Sequence, residues 1–243
     1  MPDDPVNAPG SASAQSNLTL RVLSSVVLAP LALAIAYVGG TVFAVFWTIV
    51  AAIVLWEWAR LITSARLARA ALAGWLAAGV VYAGVLLFAP LILRRDPSFG
   101  LTAMLFVFAI VWATDIAAYF AGRAIGGPKL WPAVSPKKTW SGAIGGTLGG
   151  IAAGLLVAKL AGLVVAPILV IVALGLSIVA QGGDLFESAI KRHFGAKDSS
   201  QLIPGHGGLM DRLDGFLTAA TAAVMVGLVR GGLEGPARGL LVW

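Results

Sequence analysis

The feature that most constrains this chain is a series of long apolar runs without a single charge, residues 26–38, 43–56, 70–93 and 101–113 among them. About 20 apolar residues wound as a helix cross the hydrocarbon core of a bilayer with every backbone group paired internally. A closed β-barrel is the other spanning solution, but its strands alternate polar and apolar residues, and these runs are continuous. The chain is 59% hydrophobic and only 12% charged, where soluble domains are about 25% charged. The expectation is an all-α, polytopic integral membrane protein lying in the lipid bilayer. It has about seven transmembrane helices, near 20–38, 41–60, 70–93, 100–121, 141–161, 164–184 and 213–233.

Local signals refine that outline. Gly39-Gly40 reads as a tight turn between the first two spans, and Pro90 and Pro167 are placed to kink or shorten their helices. Residues 1–18, rich in Pro, Ser, Ala and Asn, read as a disordered cytoplasmic tail without the basic start of a signal peptide. Residues 19–100 form the N-terminal helices. Residues 101–243 form a C-terminal transmembrane catalytic region with two long polar loops, 122–140 and 185–212.

Seven spans divide the 17 Lys and Arg residues as 12 on the side of the N-terminus against 5 on the other (Arg94, Arg95, Lys159, Arg230 and Arg238). The positive-inside rule then places the N-terminus and both polar loops in the cytoplasm and the C-terminus outside. The basic residues sit between spans and form no soluble patch, so nucleic acid is excluded as a partner. There is no cysteine and there are only two histidines, which excludes thiolate chemistry and leaves little for a structural zinc site.

Nearly every unusual residue lies in or beside the two polar loops. If residues 183–193 continue the preceding helix, Asp184, Ser188 and Lys191 share one face at i, i+4 and i+7, with Glu187 set to pair with Lys191. Asp211 and Asp214, three apart, share the face of a later helix. Paired carboxylates with open positions suit Mg²⁺, which takes oxygen ligands and keeps water and substrate phosphates. Before them, Pro204-Gly205-His206-Gly207-Gly208 offers backbone N–H groups to a phosphate at a helix N-terminus.

Upstream, Asp115, Tyr119 and Arg123 recur at one-turn spacing late in a span. Ser135-Pro136-Lys137-Lys138-Thr139 sets two ammonium groups and two hydroxyls before the next helix, a pattern that suits a polyphosphate. For Ser135 and Thr139 helix capping is the simpler reading, and no GxxxxGK[ST] loop is present. Gly142, Gly146, Gly150 and Gly154 recur every four residues, which reads as close helix packing and not as a phosphate loop. Glu57 reads first as the partner of Arg60 at the interface, with an active-site role as the lesser reading. A transporter of an anionic substrate is a different class of reading. Against it, the charges gather at one face instead of the midplane, and no inverted repeat is visible.

At these residues the chain resembles the phosphatidate cytidylyltransferase (CDP-diacylglycerol synthase) family. The family's signature is filled in order by Ser188, Lys191, Arg192, Lys197, Asp198, His206, Gly207, Gly208, Asp211, Arg212 and Asp214. Asp115, Tyr119, Gly122, Arg123 and residues 135–139 resemble its second block. Ser141 stands where Glu or Gln is common and Gly215 where Ser is common. The resemblance implies that CTP and phosphatidate give CDP-diacylglycerol and diphosphate, at a bacterial-type inner membrane with the active site facing the cytoplasm. Lys191, Arg192, His206 and Arg212 are then the catalytic candidates. Asp115, Tyr119, Arg123, Ser135, Lys137, Lys138, Thr139, Ser188, Lys197, Asp198, Gly207 and Gly208 are the substrate-binding candidates, and Asp184, Asp211 and Asp214 the ligands of Mg²⁺. A second, monovalent ion and a homodimer stay open, as does a CTP-dependent lipid kinase of the polyprenol or phytol type.

Overall fold

The computed structural model describes residues 26–65, 67–203 and 207–243. The tail 1–18, the first residues of the first span, Arg66 and His206 lie outside the described residues. The elements run α1 (Val26–Val38), α2 (Gly40–Thr63), α3 (Arg69–Arg94), α4 (Gly100–Ile125), β1 (Lys129–Trp131), β2 (Ser135–Thr139), α5 (Trp140–Leu160), α6 (Pro167–His193), α7 (Met210–Gly231) and α8 (Pro236–Leu241). Six of them, α2 to α7, are long and apolar enough to cross a membrane, and α1 is a shorter apolar helix. The all-α, polytopic expectation therefore holds.

Length explains where the chemistry sits. At about 1.5 Å per residue, the 21 residues of α5 just span a hydrocarbon core of about 30 Å. The 27 residues of α6 overshoot it by two turns. The last turns of α6 carry Glu187 to His193, so the helical continuation through 183–193 is real. Pro167 is the first residue of α6, where its missing N–H is harmless. Pro90 lies inside α3 without ending it. Gly39 and Gly40 take positive φ, 66° and 55°, making the tight turn between α1 and α2.

Apolar side chains face two ways. Trp47 stacks on Phe216, and Phe216 on Phe108, each at 5.1 Å between centroids, tying α2, α7 and α4 together. Outward, Val80, Val81, Ile144, Leu148, Ile171 and Val229 are exposed, as lipid-facing residues are where no water competes.

The glycine seam packs α5 against α4. A methyl group built on Gly145 would stand 2.3 Å from Ala121 Cβ, and one on Gly146 2.7 Å from the Thr114 carbonyl oxygen. Only glycine permits that approach. Between α4 and α5 lies the one local surprise, an antiparallel hairpin pairing Lys129 with Thr139 and Trp131 with Ser135. Within the loop expected at 122–140, α4 continues to Ile125 and strands fill 129–139.

Candidate active site

One end of the bundle gathers the C-terminal turns of α4 and α6, the hairpin, residues 194–203 and 207–209, and the first turn of α7. Its base is the contact of α6 with α7. A methyl group on Gly183 would meet Thr218 Oγ1 at 2.2 Å and the Asp214 carbonyl oxygen at 2.7 Å. The missing side chain therefore lets the two helices touch directly below their charged turns.

Lys191 of α6 is 8% exposed and donates to Glu187 Oε2 at 3.1 Å and to Asp211 Oδ1 at 2.5 Å. Asp211 also accepts the Ser199 N–H at 3.0 Å, the Ser199 hydroxyl at 3.1 Å and the Gly208 N–H at 2.8 Å. Asp184, one turn before Ser188, pairs with Lys138 of β2 and accepts the Ser188 hydroxyl at 3.4 Å. Asp214 accepts the Gly215 N–H at 2.7 Å, and its backbone carbonyl packs against Gly183 of α6. Asp115 of α4 lies within charge–charge range of Asp184, Asp214, Lys138 and Arg212. Asp115, Lys138, Asp184, Ser188, Lys191, Gly208, Asp211 and Asp214 are thus brought together.

The remaining candidates sit differently. Arg123 donates to the Tyr119 hydroxyl at 3.0 Å on an exposed face of α4. Thr139 caps α5, accepting the Gly142 N–H at 3.1 Å, as the capping reading expects. Ser135 belongs to β2 and pairs with Trp131. Arg192 donates to the Ala196 carbonyl at 3.1 Å, just beyond the end of α6. Lys137, Lys197, Asp198 and Arg212 are exposed. Gly207 has φ 83°, and its carbonyl accepts the Ile203 N–H at 2.8 Å. His206 lies outside the described residues.

Two expectations need correction. The amides at the start of α7 do not stand free for a phosphate. The Gly208 N–H goes to Asp211, and those of Leu209 and Met210 go to Glu57 at 2.9 and 2.7 Å. Carboxylates of the protein itself occupy the positive end of the helix. Glu57, in turn, is not the partner of Arg60. Arg60 lies over the Trp56 ring at 5.5 Å, and Glu57 is fully buried and turned toward Ser199, Ser200 and α7. Sequence reasoning gave Glu57 a place in this centre only as the lesser reading, and it missed Ser199 and Ser200. The available signal was Glu57 itself, an ionisable residue in an apolar span, which is functional by default.

The donor set fits a hard divalent cation. Asp184, Glu187, Asp211 and Asp214 offer only oxygen, and Glu187 Oε1 is buried without any hydrogen-bond partner. Among the described residues no three His, Asp or Glu side chains close into a ready-made cage. Mg²⁺ commonly needs none, since it is held by one or two carboxylates with substrate phosphates and water.

Fold and centre together define a polytopic membrane protein with a mixed acidic and basic site at one end of its helices. A sequence profile described as "Cytidylyltransferase family" matches residues 67–229. The chain is 41% identical over 258 aligned positions to a phosphatidate cytidylyltransferase of Brucella suis, covering 88% of this chain and 94% of that protein. It is 40% identical over 149 positions to a Bacillus subtilis protein of the same name, covering 59% of this chain and 54% of the relative. A Staphylococcus epidermidis protein so named is 48% identical over 119 positions, covering 49% and 46%. The chain belongs to the cytidylyltransferase family.

Proposed function

We infer that this chain is an integral membrane nucleotidyltransferase that joins CTP to phosphatidate, giving CDP-diacylglycerol and diphosphate for phospholipid synthesis. The observation that carries this reading is the near full-length 41% identity to a protein of that name. The convergence of Lys138, Asp184, Lys191, Asp211 and Asp214 supports it.

The chemistry asks for little from a base. A phosphate monoester has a second pKa of about 6, so phosphatidate reaches the site largely as a dianion. One of its oxygens attacks the α-phosphorus of CTP. The new P–O bond forms as the bond to the bridging oxygen of diphosphate breaks, and the electron pair leaves with diphosphate. The barrier lies in bringing two anions into line, so positioning and charge neutralisation dominate.

Lys137 and Arg212, exposed at the mouth, are the clamps for the nucleotide phosphates. Lys138 holds Asp184 in place until substrate arrives. Lys191, committed to Glu187 and Asp211, orients these carboxylates from below. Asp184, Asp211 and Asp214 would hold Mg²⁺, which when bound stabilises negative charge on the transferring phosphoryl group. The 12-to-5 distribution of Lys and Arg supports a cytoplasmic site, and the bacterial relatives support a plasma membrane.

The test is purified protein in detergent with phosphatidate, Mg²⁺ and CTP labelled at either the α- or the γ-phosphate. Label passing to lipid from the α position alone is the expected result. Transfer from γ alone would make the protein a lipid kinase, and transfer from neither would overturn the reading.

A further inference from the structure

Glu57 is carried by α2, ten residues before the family match begins at residue 67. It is completely buried, and no cation pairs with it among the described residues. Three donors serve it instead, with the Ser199 hydroxyl beside them. Oε1 accepts the Ser200 hydroxyl at 2.5 Å and the Leu209 N–H at 2.9 Å, while Oε2 accepts the Met210 N–H at 2.7 Å and faces the Ser199 hydroxyl at 3.3 Å. Every donor lies 143–153 residues further along the chain, in the segment that delivers α7 to the site.

These bonds interlock with those of Asp211. Ser199 Oγ stands between the two carboxylates, 3.3 Å from Glu57 Oε2 and 3.1 Å from Asp211 Oδ2. Three successive amides are shared out, Gly208 to Asp211 and Leu209 and Met210 to Glu57. The residue at the N-cap of α7, Leu209, has no side chain able to cap. Glu57 performs that task from another helix, satisfying N–H groups that would otherwise be orphaned. Gly208 leaves room for it, since a methyl group there would stand 2.6 Å from Glu57 Oε1.

A buried carboxylate without a cation persists only where hydrogen bonds replace its hydration. Here they come from Ser200, Leu209 and Met210, so α2 sets where these residues stand. We propose that Glu57 is a positioning residue for cytidylyl transfer. It holds Ser199, Ser200, Leu209 and Met210 in place so that Asp211, Arg212 and Asp214 meet α6, making α2 part of the catalytic unit. This rests on the function proposed above.

Glu57→Gln in the full-length protein is the test. Glutamine keeps the shape but turns an N–H donor toward groups that are themselves donors. Turnover should fall on the order of 10²-fold, as a displaced constellation does, and KM for CTP should rise as Arg212 shifts, so that kcat/KM falls further than kcat. Hydrogen exchange in peptides covering 199–210 should accelerate, while peptides from α2 and α3 keep wild-type protection. Ser200→Ala, which removes one donor from the other side, should give a smaller loss of the same kind, and it decides the matter if Glu57→Gln cannot be purified folded. Wild-type turnover and exchange in the purified variants would overturn the proposal. Uniform loss of protection across the helices would do the same by making Glu57 a general brace. If wild-type protein makes no lipid product from CTP, the function fails instead, and the exchange pattern still tests the latch.

Discussion

Lys191 and Asp211, twenty residues apart in the chain, form a buried ion pair at 2.5 Å across the contact of α6 with α7. Lys191 serves Glu187 at 3.1 Å as well, so one ammonium neutralises two buried carboxylates. Removing it leaves both without a cation, and breaking a buried pair in this way costs about 3 kcal/mol or more. Lys191→Met should therefore lower the thermal midpoint in detergent markedly as well as abolish turnover. A midpoint equal to wild type would show that the pair bears no structural load.

Lys138 makes the opposite case. Its side chain and that of Asp184 remain 27% and 31% exposed, where ion pairs contribute about 0–1 kcal/mol. Lys138→Met should unfold at nearly the wild-type temperature while CTP binds more weakly. The pairing of unchanged midpoint with raised KM for CTP is the expected signature. A large drop in midpoint with unchanged KM would move Lys138 from the substrate to the scaffold.

For the carboxylates the readout is metal dependence. Asp214→Asn keeps shape but removes charge, and turnover should fall on the order of 10²-fold or more, the scale of a misplaced metal ion. Chelation by EDTA should silence the wild-type enzyme, and added Mg²⁺ should restore it at a lower concentration than the variant requires. Near-normal turnover with an unchanged Mg²⁺ titration would remove Asp214 from the ligand set.

The glycine seam answers to stability alone. A leucine at 146 has to displace the Thr114 carbonyl and Ala118 Cβ, which a methyl group would already meet at 2.7 and 2.9 Å. Gly146→Leu should reduce the yield of folded protein and its thermal midpoint while the folded fraction keeps its KM for CTP. Selective loss of CTP affinity in well-folded protein would place the seam in the site.

Orientation is open to a direct measurement. The site and the C-terminus lie at opposite ends of the bundle, because α7 begins in the site at Met210 and leads away to Gly231. A reporter active only in the cytoplasm should be silent when fused after Trp243. An active fusion would put the site on the outer face.

Much of this was legible in the sequence for a physical reason. Hydropathy over 20 residues is a collective signal, so the spans survive errors at individual positions. The spacing of Asp184, Ser188 and Lys191 translates directly into a helix face once α6 is known to continue. The hairpin at 129–139 was not legible, because Ser-Pro-Lys-Lys-Thr has little strand preference and pairing alone forms it. The partners of Glu57 were not legible either. Its local neighbour of opposite charge, Arg60, suggested a partner at i+3, whereas its donors are more than 140 residues away. Only tertiary packing brings them together. The same holds for the amides of Leu209 and Met210, which a glycine-rich turn advertises as free and which a distant carboxylate takes.

The α4–α5 seam has a further consequence for traffic within the bilayer. Where Ala117 and Ala121 press on the glycines of α5, no side chain can swing aside to open a passage. That wall is sealed against a hydrocarbon tail. A two-tailed substrate moving in the plane of the membrane has to reach the polar mouth past some other flank of the bundle. The hairpin that carries Lys138 is hung from both sides of this sealed wall, so it presents its lysines from a fixed bank while the lipid does the travelling.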